Sequence, residues 1–225
     1  MVFLALFVRN DFPANSVFNI CLARILPDCS ASLDPDLIAD KIAGMINTVT
    51  GNSTVRVFFA LWPDPAEQGA FCVWQTALKS LCGGRDMRED TLHATLIFLG
   101  EVDVTRLESL KLAAQEVVGD EFEVCFDEAR YWRHNHIVYA APGTVPPQLL
   151  KLAKALEQRL IAHRFSFDQR AFKPHVTLLR KAQWVDQALP DMPAVTWHIR
   201  EFVLVQSAAG GIDANYRVLT RFRLM

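Results

Sequence analysis

Thr91-Leu-His-Ala-Thr-Leu-Ile-Phe98 and Lys173-Pro-His-Val-Thr-Leu-Leu-Arg180 share the core His-x-Thr-Leu. Their histidines, at positions 93 and 175, stand 82 residues apart, about half the patterned part of the chain. Each copy follows a predicted helix and lies in a predicted strand, so the chain reads as a duplicated lobe with pseudo-two-fold symmetry. Side chains alternate across a strand. His93 therefore shares a face with Thr95, and His175 with Thr177. Ala94, Val176, Leu96 and Leu178 face the opposite, apolar layer. Symmetric packing of the lobes would bring two imidazoles and two hydroxyls into one cleft.

The flanking sequence supplies the scaffold. Val55–Trp62 reads as a strand stopped by Pro63 and Pro65. Glu67–Leu81 reads as a helix ended by Gly83-Gly84, and Gly100 closes the first motif strand. Thr105–Val118 reads as a helix with Thr105 as N-cap and Glu108 in the reciprocal capping-box place. Phe122–Phe126 and Ile137–Ala140 read as strands around a turn at His134-Asn135. The pattern then repeats. Pro147–His163 is a helix with Leu149, Leu152, Leu156 and Leu160 on one side. Phe202–Gln206 and Tyr216–Leu224 are late strands about a Gly210-Gly211 turn. Before all this, Asn47–Thr54 is polar and linker-like, and Pro35–Ile46 suggests a short helix.

Two imidazoles beside two hydroxyls suit a cyclic phosphodiester. Its hydrolysis needs a base for the attacking water and an acid for the departing ribose oxygen. Imidazoles do both near neutrality, their reference pKa being about 6.5. Threonine hydroxyls can donate to the non-bridging oxygens, where charge is held through the transition state. Phe98 and Arg180 each lie five residues after their histidine and flank the cleft at equivalent points. Both groups stack on bases, so the pair could sandwich a nucleobase. Arg180 could instead reach the phosphate. An offset of five puts them on the wrong face of a regular strand, so either role needs a strand end or a bulge.

At these residues the chain resembles the 2H phosphoesterase superfamily, and within it the bacterial and archaeal RNA 2′,3′-cyclic phosphodiesterases, historically called 2′-5′ RNA ligases. The resemblance runs from about Val55 to Leu224. It rests on Arg56-Val-Phe-Phe-Ala-Leu61, Leu92-His-Ala-Thr-Leu-Ile-Phe-Leu-Gly-Glu-Val102, Phe172-Lys-Pro-His-Val-Thr-Leu-Leu-Arg180 and Glu201-Phe-Val-Leu-Val-Gln-Ser207. It implies a bilobal α+β fold, two pseudo-symmetric lobes with antiparallel sheets enclosing a central cleft. It implies opening of a 2′,3′-cyclic phosphate at an RNA 3′ end, or of a cyclic nucleotide, to a 2′-phosphate. His93 would be the proton donor and His175 the acceptor. Sequence alone leaves that assignment open, because the repeat is nearly symmetric. No metal or other cofactor is expected.

Composition limits the alternatives. Net charge is −2, and residues 55–225 carry 20 basic and 20 acidic side chains, which argues against broad coating of nucleic acid. Five cysteines without a C-x-x-C pair read as free thiols in a reducing cytoplasm. The apolar run Met1–Val8 is too short to span a bilayer, so no membrane association is expected. A monomer is expected. Residues 1–53 have no counterpart in the family; they read as an N-terminal extension, poorly ordered, or as a mis-started reading frame with Met45 as a candidate start. Residues 54–225 form the phosphoesterase domain. Competing readings are a 2H enzyme for another cyclic nucleotide or a tRNA-processing intermediate, and a non-catalytic nucleotide-binding module. A zinc hydrolase lacks a third ligand in either motif. His134 and His136 read as a solvated turn, His163 and His198 as surface residues, Phe59 and Trp132 as core with cleft lining as the alternative, and Asp213 and Tyr216 as unassigned.

Overall fold

A computed structural model describes residues 53–184, 188–207 and 215–225. The helix expected at Pro35–Ile46, the extension 1–52, and the Gly210-Gly211 turn with Asp213 lie outside the described residues. The fold is α+β. Among the described residues ten strands follow in chain order: β1 (Thr54–Leu61), β2 (Arg85–Asp86), β3 (Ala94–Asp103), β4 (Phe122–Phe126), β5 (Glu128–Trp132), β6 (Ile137–Ala141), β7 (Val176–Arg180), β8 (Val195–Ile199), β9 (Glu201–Ser207) and β10 (Tyr216–Arg223). Among the described residues three α-helices cover them: α1 (Pro65–Cys82), α2 (Leu107–Gln115) and α3 (Pro147–Ala162).

The expected repeat is visible in the pairing. Strands run in the order β10-β9-β1-β3-β7-β6-β5, with β2 alongside β7 and β4 paired with β8 apart. All ladders are antiparallel. With β2 and α2 set aside as additions to the first half, one half reads β1-α1-β3-β4 and the other β6-α3-β7-β8. Each half thus sends its last strand to pair with its counterpart's. The motif strands β3 and β7 meet at one residue pair, Ala94 opposite Val176. Those are the residues that follow the two histidines, so the pseudo-dyad passes between the motifs.

Helix α1 begins where sequence chemistry dictates. The Asp64 carboxylate accepts from the N–H groups of Ala66 and Glu67 at 2.9 and 3.1 Å. The Glu67 carboxylate returns to the Asp64 N–H at 2.7 Å, completing a capping box with Pro65 at the first turn. Gly83 ends the helix with φ of 60°. Gly84, at φ 90°, is needed for a second reason: a Cβ there would stand 2.8 Å from the Arg180 carbonyl oxygen. The second helix differs from expectation. A 3₁₀ turn, Val104–Arg106, precedes α2, and Asp103, not Thr105, caps that turn, its carboxylate accepting from Thr105 N–H at 2.8 Å; the N-cap of α2 itself is Arg106, with no side-chain cap bond. Glu108 pairs with Lys111 instead of closing a capping box. An ionised carboxylate is the stronger acceptor, and it takes the free amide first.

The helices close the core against one face of the sheet. α1 buries Phe71, Trp74 and Leu78 completely, and α3 buries Leu149, Leu152, Leu156 and Leu160 as its spacing predicts. The Trp74 indole N–H is satisfied by the Pro193 carbonyl at 2.9 Å. Truncating such a residue to Ala costs about 3–5 kcal/mol. The other face of the sheet carries smaller clusters: Phe58, Ala60, Val203 and Val205 in one half, Ile137, Tyr139 and Ala141 in the other. The motif side chains rise from this second face.

Candidate active site

Both histidines stand one residue before their strands, not within them. Alternation nonetheless holds. His93, Thr95, His175 and Thr177 are half-buried, and Ala94, Leu96, Val176 and Leu178 are buried beneath them. Each ring is fixed in the same way. His93 Nδ1 lies 2.7 Å from the Thr91 carbonyl oxygen, and His175 Nδ1 lies 2.7 Å from that of Lys173. A carbonyl only accepts, so Nδ1 carries the proton and donates it. The neutral ring then offers Nε2 as its base, in mirror fashion from both lobes.

A duplicated bulge resolves the parity of the fifth position. Ala60 pairs with Thr95 and Phe59 with Ile97, leaving Leu96 extra. Tyr139 pairs with Thr177 and Val138 with Leu179, leaving Leu178 extra. The bulged residue is the third after the histidine in both lobes. Consequently Leu96-Ile97 and Leu178-Leu179 are buried as consecutive pairs. Phe98 and Arg180 return to the histidine face. Phe98 packs with the Phe58 cluster, and Arg180 stands opposite Ile137.

Phe98 and Arg180 leave the dyad in opposite directions, because β3 and β7 are antiparallel and overlap only at Ala94 and Val176. Phe98 lines a cavity of about 590 Å³ together with Thr95, Trp132, Phe172, Lys173 and His175. Arg180 does not line this cavity. Its Nε donates to Met87 Sδ at 3.4 Å, on the β2 side of β7. Phe98 and Arg180 thus stand at two separate positions about the histidine pair.

The rings around the two imidazoles differ. Trp62 stacks on His93 at 5.5 Å with planes 7° apart. Phe58 at 5.0 Å and Tyr216, edge-on at 5.2 Å, complete the wall. Burial in this cage pushes the His93 pKa down to about 4, and the nearby His175 and Arg180 charges act in the same direction. His175 touches Trp132, edge-on at 4.6 Å, and Tyr139 at 5.6 Å. Its pKa is also lowered, by burial first and by Arg180 second.

Sequence reasoning missed part of this shell. Tyr216 and Trp62 wall His93; Trp132 takes the cleft-lining alternative and lines the cavity. His134 and Asn135 stand at the cavity wall. Phe59 is fully buried in the core as expected. His163 and His198 are tied to Glu116 and Glu121 at the surface. Among the described residues no cluster of three or more His, Cys, Asp or Glu side chains forms a metal-binding set, and no helix is long and apolar enough to cross a membrane. Cys72, Cys82 and Cys125 are free.

Comparison with known proteins matches residues 63–211 to the family described as the 2′-5′ RNA ligase superfamily. The RNA 2′,3′-cyclic phosphodiesterase of Escherichia coli K12 is 31% identical over 172 residues, covering 75% of this chain and 96% of that protein. The protein of the same name from Thermus thermophilus is 26% identical over 180 residues, covering 76% and 90%. Among solved structures, E. coli LigT complexed with 3′-AMP superposes with a TM-score of 0.70 at 28% identity, covering 76% of this chain and 99% of that one.

Proposed function

The chain belongs to the 2′-5′ RNA ligase superfamily, and on that premise we propose that it hydrolyses 2′,3′-cyclic phosphates at RNA 3′ ends to 2′-phosphates by two-histidine acid–base catalysis. The observation that carries this reading is the matched pair of imidazoles, each with Nδ1 2.7 Å from the carbonyl oxygen two residues before it. The names of the curated relatives supply the substrate class.

Water attacks phosphorus in line with the ribose 3′-oxygen. His175 Nε2 takes the proton from water as the new P–O bond forms. His93 Nε2 gives a proton to the 3′-oxygen as the old P–O bond breaks. The phosphate stays on the 2′-oxygen, and the two histidines end with their protonation exchanged. Thr95 and Thr177 donate to the non-bridging oxygens, and Arg180 holds the charge that grows on them. Phe98 takes the terminal base on the cavity side. The cavity, about 590 Å³, falls in the range of small-ligand sites.

The unequal rings support the division of roles. A more depressed pKa makes His93 the stronger acid once protonated, and His175 the stronger base when neutral. The free protein seldom holds its proton on His93, and the negative charge of the bound phosphate favours that form. Because both pKa values lie below the ordinary imidazole value, the range in which the pair shares one proton lies on the acid side of about pH 6.5. kcat/KM is accordingly expected to peak there and to fall as pH rises.

The test is incubation with 2′,3′-cyclic AMP and with a short RNA ending in a cyclic phosphate, in excess EDTA. The expected result is a 2′-phosphate product, undiminished by chelation. A 3′-phosphate product, or activity lost to EDTA and restored by a divalent metal, would overturn the mechanism. Binding of these compounds without turnover would turn the reading to a nucleotide-binding module.

A further inference from the structure

Gln75 is 5% exposed and Thr91 is 4% exposed, and among the described residues these are the two buried polar side chains. Both hold the segment that leads into the first motif. Thr91 Oγ1 donates to the Arg88 carbonyl at 2.8 Å, and the Thr91 carbonyl fixes the His93 ring. Gln75 reaches further. From α1 its amide donates one hydrogen to the Met87 carbonyl at 2.8 Å and the other to the Leu178 carbonyl at 3.0 Å. The Met87 N–H donates to the same Leu178 carbonyl at 2.9 Å.

Leu178 is the bulged residue of β7, the one whose extra length returns Arg180 to the histidine face. Met87 is the residue whose sulfur receives the Arg180 Nε–H. One amide therefore grips the two backbone points that decide where the guanidinium stands: the bulge that turns the strand, and the segment that supports the side chain. A buried amide with both hydrogens committed is a rigid tie: without it the Leu178 carbonyl keeps only the Met87 N–H, and the Met87 carbonyl loses its donor from α1.

We propose that Gln75 is a positioning residue for Arg180, holding the β7 bulge and Met87 together so that the guanidinium is presented to the bound phosphate. This rests on the phosphate-binding role of Arg180 in the preceding section. The test is a double-mutant cycle measured on 2′,3′-cyclic AMP, with thermal unfolding followed on every variant. Gln75→Met keeps the side-chain length and removes both donors. It is expected to lower kcat/KM about tenfold in the parent, a loss the size of one hydrogen bond to a charged group. On an Arg180→Ala background the same substitution should lower it by less than about twofold, because the group it positions is gone.

Met87→Leu, a volume-conserving change that leaves the Gln75 bonds to backbone intact, supplies a second cycle. It should lower kcat/KM by about threefold in the parent and have no effect beside Arg180→Ala. A purely structural Gln75 would lower the melting temperature and depress activity equally on both backgrounds, and that additive result overturns the proposal. A silent Arg180→Ala would instead remove the role of Arg180 itself, and this inference with it.

Discussion

His93 and His175 occupy equivalent positions in two lobes whose backbones repeat one another, yet their surroundings do not. His93 is enclosed by Trp62, Phe58 and Tyr216, whereas His175 meets Trp132 and Tyr139 at the edge of a cavity. The backbone half of the site is symmetric: the carbonyl that orients each ring, the threonine two residues on, the bulge one residue later. The side-chain half is not. A duplicated fold thus provides two identical tools and sets them among different rings.

Removing either tool should produce the largest effect. His93→Ala and His175→Ala are each expected to lower kcat on a cyclic phosphate by about 10²–10⁴-fold. A linear diester with a 4-nitrophenolate leaving group separates them, since that group departs without a proton. There His93→Ala should regain most of its rate and His175→Ala should not. The reverse outcome would exchange the two roles.

The positions five residues on extend the comparison. Arg180→Ala should lower kcat/KM by about 10²-fold through lost charge stabilisation. Phe98→Ala should raise KM by about tenfold and leave kcat nearly unchanged, a loss at the low end of base stacking. Steady-state kinetics on 2′,3′-cyclic AMP and on ribose 2,3-cyclic phosphate, which lacks the base, would check this. Phe98→Ala should be harmless on the second substrate, and equal losses on both would place the base elsewhere.

The smallest effect concerns stability. With its pKa near 4 in the folded chain against about 6.5 unfolded, His93 binds fewer protons folded than unfolded between those values. Stability is therefore lost as pH falls from about 6.5 toward 4. The melting temperature should drop by a few degrees more in the parent than in His93→Asn over that range. Parallel curves would mean that the ring is not desolvated as its cage implies.

Much of this was legible in the sequence, because duplicated motifs, a 3.6-residue apolar period and turn residues are local signals. The paired histidines and threonines, the leucine face of α3 and the end of α1 all follow from them. β5 was missed because Glu128–Trp132 is an edge strand with little burial contrast between its faces. β8 was missed although Val195, Trp197 and Ile199 alternate cleanly, since it lies just beyond Pro190 and Pro193. The bulges did leave a trace, the doublets Leu96-Ile97 and Leu178-Leu179, which a strict two-residue period cannot bury. Trp62, Tyr216 and Gln75 left none. Their places depend on contacts across sheets and helices far apart in the chain.

The paired bulges have a consequence for lineage. In a regular strand, losing one residue turns every later side chain to the opposite face. At Leu96 and Leu178 the extra residue has no partner across the ladder. A chain that lost Leu96 would keep Phe98 opposite Phe58 and surrender one buried leucine; one that lost Leu178 would keep Arg180 opposite Ile137 and also give up the carbonyl that Gln75 holds. These are places between threonine and fifth position where descent by single-residue deletion could pass without inverting the site. Relatives one residue shorter between the threonine and the fifth position can therefore retain the same chemistry under a different spacing.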